Sequence, residues 1–153
     1  MPRDVDIAWQ RFFPLVREKC RRVLGDGDEA NDVAQDTFIR FWSTGVPSTQ
    51  RSELAWLYRT ATHACVDRLR QRAMRERPVP GALETNELEA GAVSRQLLTR
   101  LVDRASADEL EAAVLARLDG MTHAEAAEVL GVSERTVRRL ISRFDTLAKE
   151  LAP

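Results

Sequence analysis

Cysteine and histidine are scarce in this chain. Cys20 and Cys65 are its two cysteines, and neither stands in a C-x-x-C or comparable ligand spacing. A zinc or redox site would have to recruit His63 or His123, so the two thiols are read as small buried apolar side chains and no metal site is assigned. Two histidines supply little acid–base material near neutral pH. A nucleophile–base pairing, a phosphate-cradling glycine loop and a metal cluster are also missing, so an enzyme is the least favoured class and no cofactor is implied. No apolar run approaches the ~18 residues needed to cross a bilayer. Met1 to Asp6 carries acids early and lacks the apolar stretch of a signal peptide, so the expectation is a cytoplasmic protein without membrane insertion. A surplus of charge is absent too: 23 basic against 24 acidic residues leave a net charge of −1.

That balance conceals an uneven distribution. Between Arg51 and Arg77 stand Arg51, Arg59, Arg68, Arg70, Arg72, Arg75 and Arg77 against Glu53, Asp67 and Glu76. Between Arg135 and Arg143 there are four arginines and no acid. Phosphate contacts provide most of the affinity of a free-standing DNA-binding protein. Two basic stripes on a near-neutral chain therefore suit a protein that meets nucleic acid twice and relies on a partner for much of its affinity.

No strand pattern is present; apolar residues recur at three and four positions, the helical period. Ile7, Phe13, Val16, Cys20 and Val23 form a first stripe ended by Gly25 and Gly27, with Pro14 predicting a helix start or a kink. A second helix is expected from near Asp28, where Asp28, Glu29 and Asp32 suit a helix N-terminus, running past Phe38, Phe41 and Trp42. Ser43 to Ser52 reads as a loop, with Ser52 capping a long third helix that carries Leu54, Leu57, Ala61, Cys65 and Leu69 on one face. Arg77-Pro78-Val79-Pro80-Gly81 cannot continue it. Further helices are expected over 96–104, 108–118, 122–130 and 133–151. The fold class is all-α: two small helical domains, 1–76 and 96–153, joined by a flexible linker over 77–95.

The sharpest local pattern lies in Thr122 to Arg143. Thr122-His123-Ala124-Glu125 is a capping box, Gly131 sits where two helices turn sharply, and Ser133 caps the second of them. Leu130, Val132, Val137 and Leu140 would glue the pair together, with small Ala127 at the close approach. The outer face then presents Arg135, Thr136, Arg138, Arg139, Ser142 and Arg143, a helix-turn-helix surface fit for a major groove. A solvated helical hairpin is the bland alternative, but such faces usually mix signs.

The first half narrows the choice among helix-turn-helix proteins. The run from Asp28 to Trp42, with Asp32, Gln35, Asp36, Phe38 and Trp42, resembles the polymerase-binding helix of extracytoplasmic-function (ECF) sigma factors of the sigma-70 family. Ala55-Trp56-Leu57-Tyr58-Arg59, with Asp67-Arg68-Leu69-Arg70 and Arg72, is similar to the helix that follows in that family. Gly131-Val132-Ser133 with Thr136-Val137-Arg138 resembles its second module. The resemblance spans nearly the whole chain. It implies a sigma region 2-like bundle, a region 4-like helix-turn-helix, and a role in promoter-specific transcription initiation.

The resemblance further implies that Asp32, Gln35, Asp36, Ile39 and Arg40 bind polymerase. It assigns Arg51, Trp56, Arg59, Thr62, His63, Arg68, Arg70 and Arg72 to the −10 element, and Ser133, Arg135, Thr136, Arg138, Arg139, Ser142 and Arg143 to the −35 element. Trp56 is a candidate for stacking on a base, although tryptophan in helices of this kind is more often core. The implied partners are core RNA polymerase, through its β′ clamp and β flap regions, promoter DNA, and an anti-sigma factor as a candidate regulator. His63 and Thr62 depart from the family pattern, as do Leu140, Phe144 and Asp145, which stand where basic or small residues are common. Two alternatives stay open: an autonomous helix-turn-helix regulator, and a sigma-like protein that binds polymerase or an anti-sigma factor without initiating.

Overall fold

The structure, a computed structural model, describes residues 5–25, 27–44, 50–75 and 89–152, apart from the side chains of residues 5, 50–52 and 89–94. It is all-α. In chain order the helices are α1 (Val5–Leu24), α2 (Gly27–Ser43), α3 (Gln50–Arg75), α4 (Glu89–Arg104), α5 (Ala107–Ala113), continued by a π-helical turn (Val114–Leu118), α6 (His123–Leu130) and α7 (Glu134–Leu151). The expected linker falls largely outside the described residues, but α4 already begins at Glu89, earlier than the Gln96 start read from the sequence.

α1, α2 and α3 form the first module. Phe12, Val16, Cys20 and Leu24 of α1, Phe38 and Phe41 of α2, and Leu57, Ala61 and Cys65 of α3 meet in one core. The stripe on α1 is rotated from the one expected: Ala8 and Phe12 point inward, and Ile7 is 54% exposed. α1 runs unbroken through Pro14, which is itself exposed, so the bond its ring removes is lost on the solvent side of the helix and not in the core. Six aromatic residues cluster at one end of this module. Trp9 stacks on Phe13 at 3.9 Å, meets Phe38 edge-on at 5.4 Å and lies 5.9 Å from Trp42, while Phe41 joins Trp56 at 5.8 Å. Such pairs add about 0.5–1.5 kcal/mol each beyond the area they bury.

α5, the π-turn, α6 and α7 build the second core from Ala112, Leu115, Ala126, Ala127, Val137, Leu140 and Ile141. Gly131 takes the left-handed conformation (φ 69°, ψ 33°) between α6 and α7. Both expected caps are formed: Thr122 and Glu125 make a complete capping box, and the Ser133 hydroxyl accepts from the Thr136 amide. Val132 does not join the glue between the helices and is 40% exposed. Ser52 does not cap α3, because that helix starts at Gln50 and Ser52 lies within it.

The modules are not separate beads. α3 is apolar on two faces, one turned to α1 and α2, the other to the second half of the chain. Tyr58 packs into the second core, and Val66 and Ala73 share a third core with Val102, Ala105, Leu110 and Val114. α3 is thus the wall between the two modules.

Candidate nucleic-acid and polymerase interfaces

On α2, burying Ala30, Val33, Ala34, Thr37, Phe38 and Phe41 turns the remaining positions outward. Asp32, Gln35, Asp36 and Arg40 are exposed, and Ile39 is 57% exposed, a large aliphatic side chain in the middle of a polar strip. All five residues assigned to polymerase therefore share one continuous solvent face. Glu29 belongs elsewhere. It pairs with Arg68 at 3.4 Å and with Arg72, which also donates to the Leu24 carbonyl at 2.9 Å.

The same arrangement places the expected −10 residues on different sides of α3. Arg68 and Arg72 continue the inward stripe of Ala61 and Cys65, where both reach Glu29 at the start of α2 and Arg72 also holds the last carbonyl of α1. Thr62 is fully buried, its hydroxyl donating to the Tyr58 carbonyl at 2.6 Å. Arg59, His63 and Arg70 are exposed on the outer edge of the helix, while the side chain of Arg51 lies outside the described residues. Trp56 is half-buried, packed on the first core yet lining a cleft of about 690 Å³ with Ile39, Arg40, Ser43, Thr44, Arg59, Thr60 and His63. The opposite wall of this cleft comes from the second module: Ala107, Asp108 and Glu111.

On α7, Val137, Leu140 and Ile141 face the core, and Arg135, Arg138, Arg139, Ser142 and Arg143 are exposed together. Ser133 and Thr136 are engaged in the N-cap, their hydroxyls 3.0 Å apart. The departures noted in this helix have structural causes. Leu140 is core, Phe144 packs on the third core, and Asp145 pairs with Arg117 at 2.6 Å. None of them thins the outer basic face.

Sequence reasoning missed one site altogether. Lys19 is fully buried, and its ammonium lies 2.5 Å from the carboxylate of Asp119, itself 1% exposed and 100 positions away. Asp119 also accepts from Arg22 at 2.9 Å, and the Lys19 nitrogen sits 5.3 Å from the centre of the Tyr58 ring. Burial, and next the nearby Asp119 carboxylate, push the Tyr58 hydroxyl above its usual value. A signal for Lys19 existed, since it lies three residues after Val16 on the apolar side of α1. None existed for Asp119, whose Asp-Gly context reads as a solvated turn. Both cysteines are buried in the first core, and hydrogen bonding with Cys20, then burial, push the Cys65 thiol up. Among the described residues no group of three His, Cys, Asp or Glu is placed to hold a metal, and no helix is long and apolar enough to cross a membrane.

Two helical modules, one with an exposed polar strip and the other a capped helix-turn-helix, define the class by fold alone. Comparison with known proteins makes this specific. Residues 8–75 match the family model Sigma-70 region 2, and residues 95–143 match Sigma-70, region 4. The ferric citrate uptake sigma factor FecI of Escherichia coli is 32% identical over 130 residues, covering 80% of this chain and 75% of FecI. The ECF RNA polymerase sigma factor SigC of Mycobacterium tuberculosis is 29% identical over 138 residues, covering 85% of this chain and 74% of SigC. A solved structure, the sigma factor RpoE of Bartonella quintana in complex with the anti-sigma factor NepR, has the same fold, with a TM-score of 0.54, 22% identity, and coverage of 97% and 96% of the two chains. The chain belongs to the ECF group of the sigma-70 family, whose members are non-enzymatic proteins of transcription initiation.

Proposed function

We propose that this chain seats on core RNA polymerase through the α2 strip of Asp32, Gln35, Asp36, Ile39 and Arg40, and from that seat directs initiation at promoters with a −35 and a −10 element. The observation that carries the reading is the strip itself. Five residues spread over little more than two turns lie on one solvent face, with an exposed isoleucine between Asp36 and Arg40. Acids beyond the first turn gain little from the helix dipole, so that role does not account for Asp36.

The −35 duplex meets the outer face of α7, where Arg135, Arg138, Arg139 and Arg143 stand clear of the core. Arginine at such a face can donate two bonds to a guanine or hold phosphates. The −10 strand meets α3 through Arg59, His63 and Arg70, with Trp56 in the adjoining cleft as a surface for an unpaired base. Thr62, Arg68 and Arg72 support that helix from within instead of touching DNA. The β′ clamp and β flap are the expected contact regions on the enzyme, and an anti-sigma factor is a candidate regulator, as RpoE in its complex with NepR suggests.

The test is retention of core RNA polymerase by immobilised protein, comparing wild type with Asp32→Lys/Asp36→Lys. Both sites are exposed, so the variant should keep its helical circular dichroism and lose most of the retained polymerase. Retention equal to wild type refutes the docking assignment.

A further inference from the structure

The cleft of about 690 Å³ between the modules has the size and the lining of a small-molecule site. Such sites favour junctions between domains and combine apolar surface with a few convergent polar groups. Here the aromatic part is Trp56, whose ring is steadied by Phe41 at 5.8 Å and still borders the opening.

Three charges of the cleft have no opposite partner. Arg40, Arg59 and Asp108 line it, and none of them enters an ion pair among the described residues. The Arg59 guanidinium lies beside Gly131, where an added Cβ would stand 3.4 Å from it, so it rests against a residue with no charge to offer. Glu111 and His63, by contrast, meet each other at 2.9 Å. The two arginines come from α2 and α3, and Asp108 belongs to α5 in the opposite wall.

Each of these groups asks for a different part of one ligand. Guanidinium groups suit a phosphate, to which each can donate two bonds. An indole at the edge of a cleft accepts the face of a base. A carboxylate only accepts, so Asp108 needs N–H or O–H groups opposite it, such as the amino edge of a purine or the hydroxyls of a ribose. We propose that this cleft binds a free purine nucleoside phosphate, with the base on Trp56, the phosphates on Arg40 and Arg59, and donors turned to Asp108. A nucleotide unit of a DNA strand shares much of this chemistry, and Asp108 separates the two. A continuous strand would bring further phosphates up to the carboxylates of α5, which repel them. The site thus goes beyond the −10 reading while sharing Trp56 and Arg59 with it, and a bound nucleotide would keep both side chains from a strand.

Calorimetric titration of the full chain with GDP, in the absence of DNA, tests this. Wild type should saturate below about 1 mM. Trp56→Leu, which keeps an apolar side chain on the core, and Asp108→Ala, at an exposed site, should each weaken binding about tenfold, the first by loss of stacking and the second by loss of the acceptor. Inorganic pyrophosphate, which has the phosphates and no base, should bind at least about tenfold more weakly than GDP. Should Trp56→Leu lose helical content, Arg59→Ala, also exposed, takes its place.

No saturation by GDP, pyrophosphate as tight as GDP, or undiminished binding by Asp108→Ala overturns the proposal. The −10 reading is checked apart, by retention of a fluorescent single-stranded 12-mer on the chain assembled with core RNA polymerase, above retention by core alone. Arg59→Glu/Arg70→Glu should lower that retention, and Asp108→Ala should leave it at or above wild type. A fall for Asp108→Ala would give the cleft to the strand and also overturn the proposal. If GDP binds as expected while the strand is indifferent to Arg59 and Arg70, the nucleotide site stands and the −10 reading fails. If the strand depends on them and GDP does not bind, the −10 reading stands and the nucleotide site fails.

Discussion

At the scale of single residues, Glu125 completes the cap of α6 and Gly131 makes the turn that leads into α7. Gly131 occupies the left-handed region, where an L side chain costs about 1–2 kcal/mol. An added Cβ meets only Arg59 at 3.4 Å, so the penalty of Gly131→Ala is chiefly backbone strain. We expect a fall in Tm of roughly 2–8 °C, read by calorimetry, for a chain of this size. Glu125 titrates below the ordinary carboxylate range, because the Thr122 amide donates to its carboxylate and the Thr122 side chain reinforces the box. A carboxylate whose folded value is depressed adds stability that is complete above its unfolded value and is lost as pH falls through the folded one. The box is therefore intact at neutral pH and opens only in acid. NMR titration should place the Glu125 midpoint below that of exposed glutamates, and Thr122→Ala should move it back up. Both features were legible in Thr122-x-x-Glu125 and in the isolated glycine, because caps and turns are decided within four residues.

Individual helices were readable to the extent that local chemistry decides them. α6 and α7 lie where their caps predicted. α3 starts at Gln50, ahead of the expected Ser52 cap, and α1 passes through Pro14 because that residue faces water. The faces of α3 were harder to read. A helix buried on two sides has no single apolar stripe, so Thr62 seemed to belong with Arg59 and His63 although it is fully buried, and Val66 joins the third core. The resemblance assigned Arg68 and Arg72 to the −10 element, and a count of charge without spacing gave no sign of their partners within the chain. Placed four apart, in line with Ala61 and Cys65, they reach Glu29 and the end of α1. The expected consequence is a division among the α3 arginines. Arg72→Ala should destabilise the protein by about 1–3 kcal/mol in urea titration, since it leaves Glu29 and a helix-end carbonyl short of a partner. Arg70→Ala, exposed, should stay within about 0.5 kcal/mol.

Across the whole molecule, the two family modules and their order could be read, but their docking could not. Lys19 and Asp119 are 100 positions apart, and nothing near Asp119 distinguishes it from a solvated turn acid. Their pairing exists only once α3 has brought both modules to its two faces. Because the charges are buried, the pair should register strongly in single variants and weakly in the double one. Removing one partner of a buried pair costs about 3–5 kcal/mol, whereas replacing both with apolar groups of similar size is often neutral or stabilising. Here a further limit applies: if the modules part, the surviving charge regains water, so the loss cannot exceed the free energy of docking. Asp119→Leu should therefore convert a single urea transition into two, as each module melts from its own core. Lys19→Met/Asp119→Leu should return the chain to one transition near the wild-type midpoint, with the modules held by Tyr58, Val66 and the third core. Two transitions in the double variant would mean that the attraction between the charges, and not the avoidance of a stranded one, joins the modules.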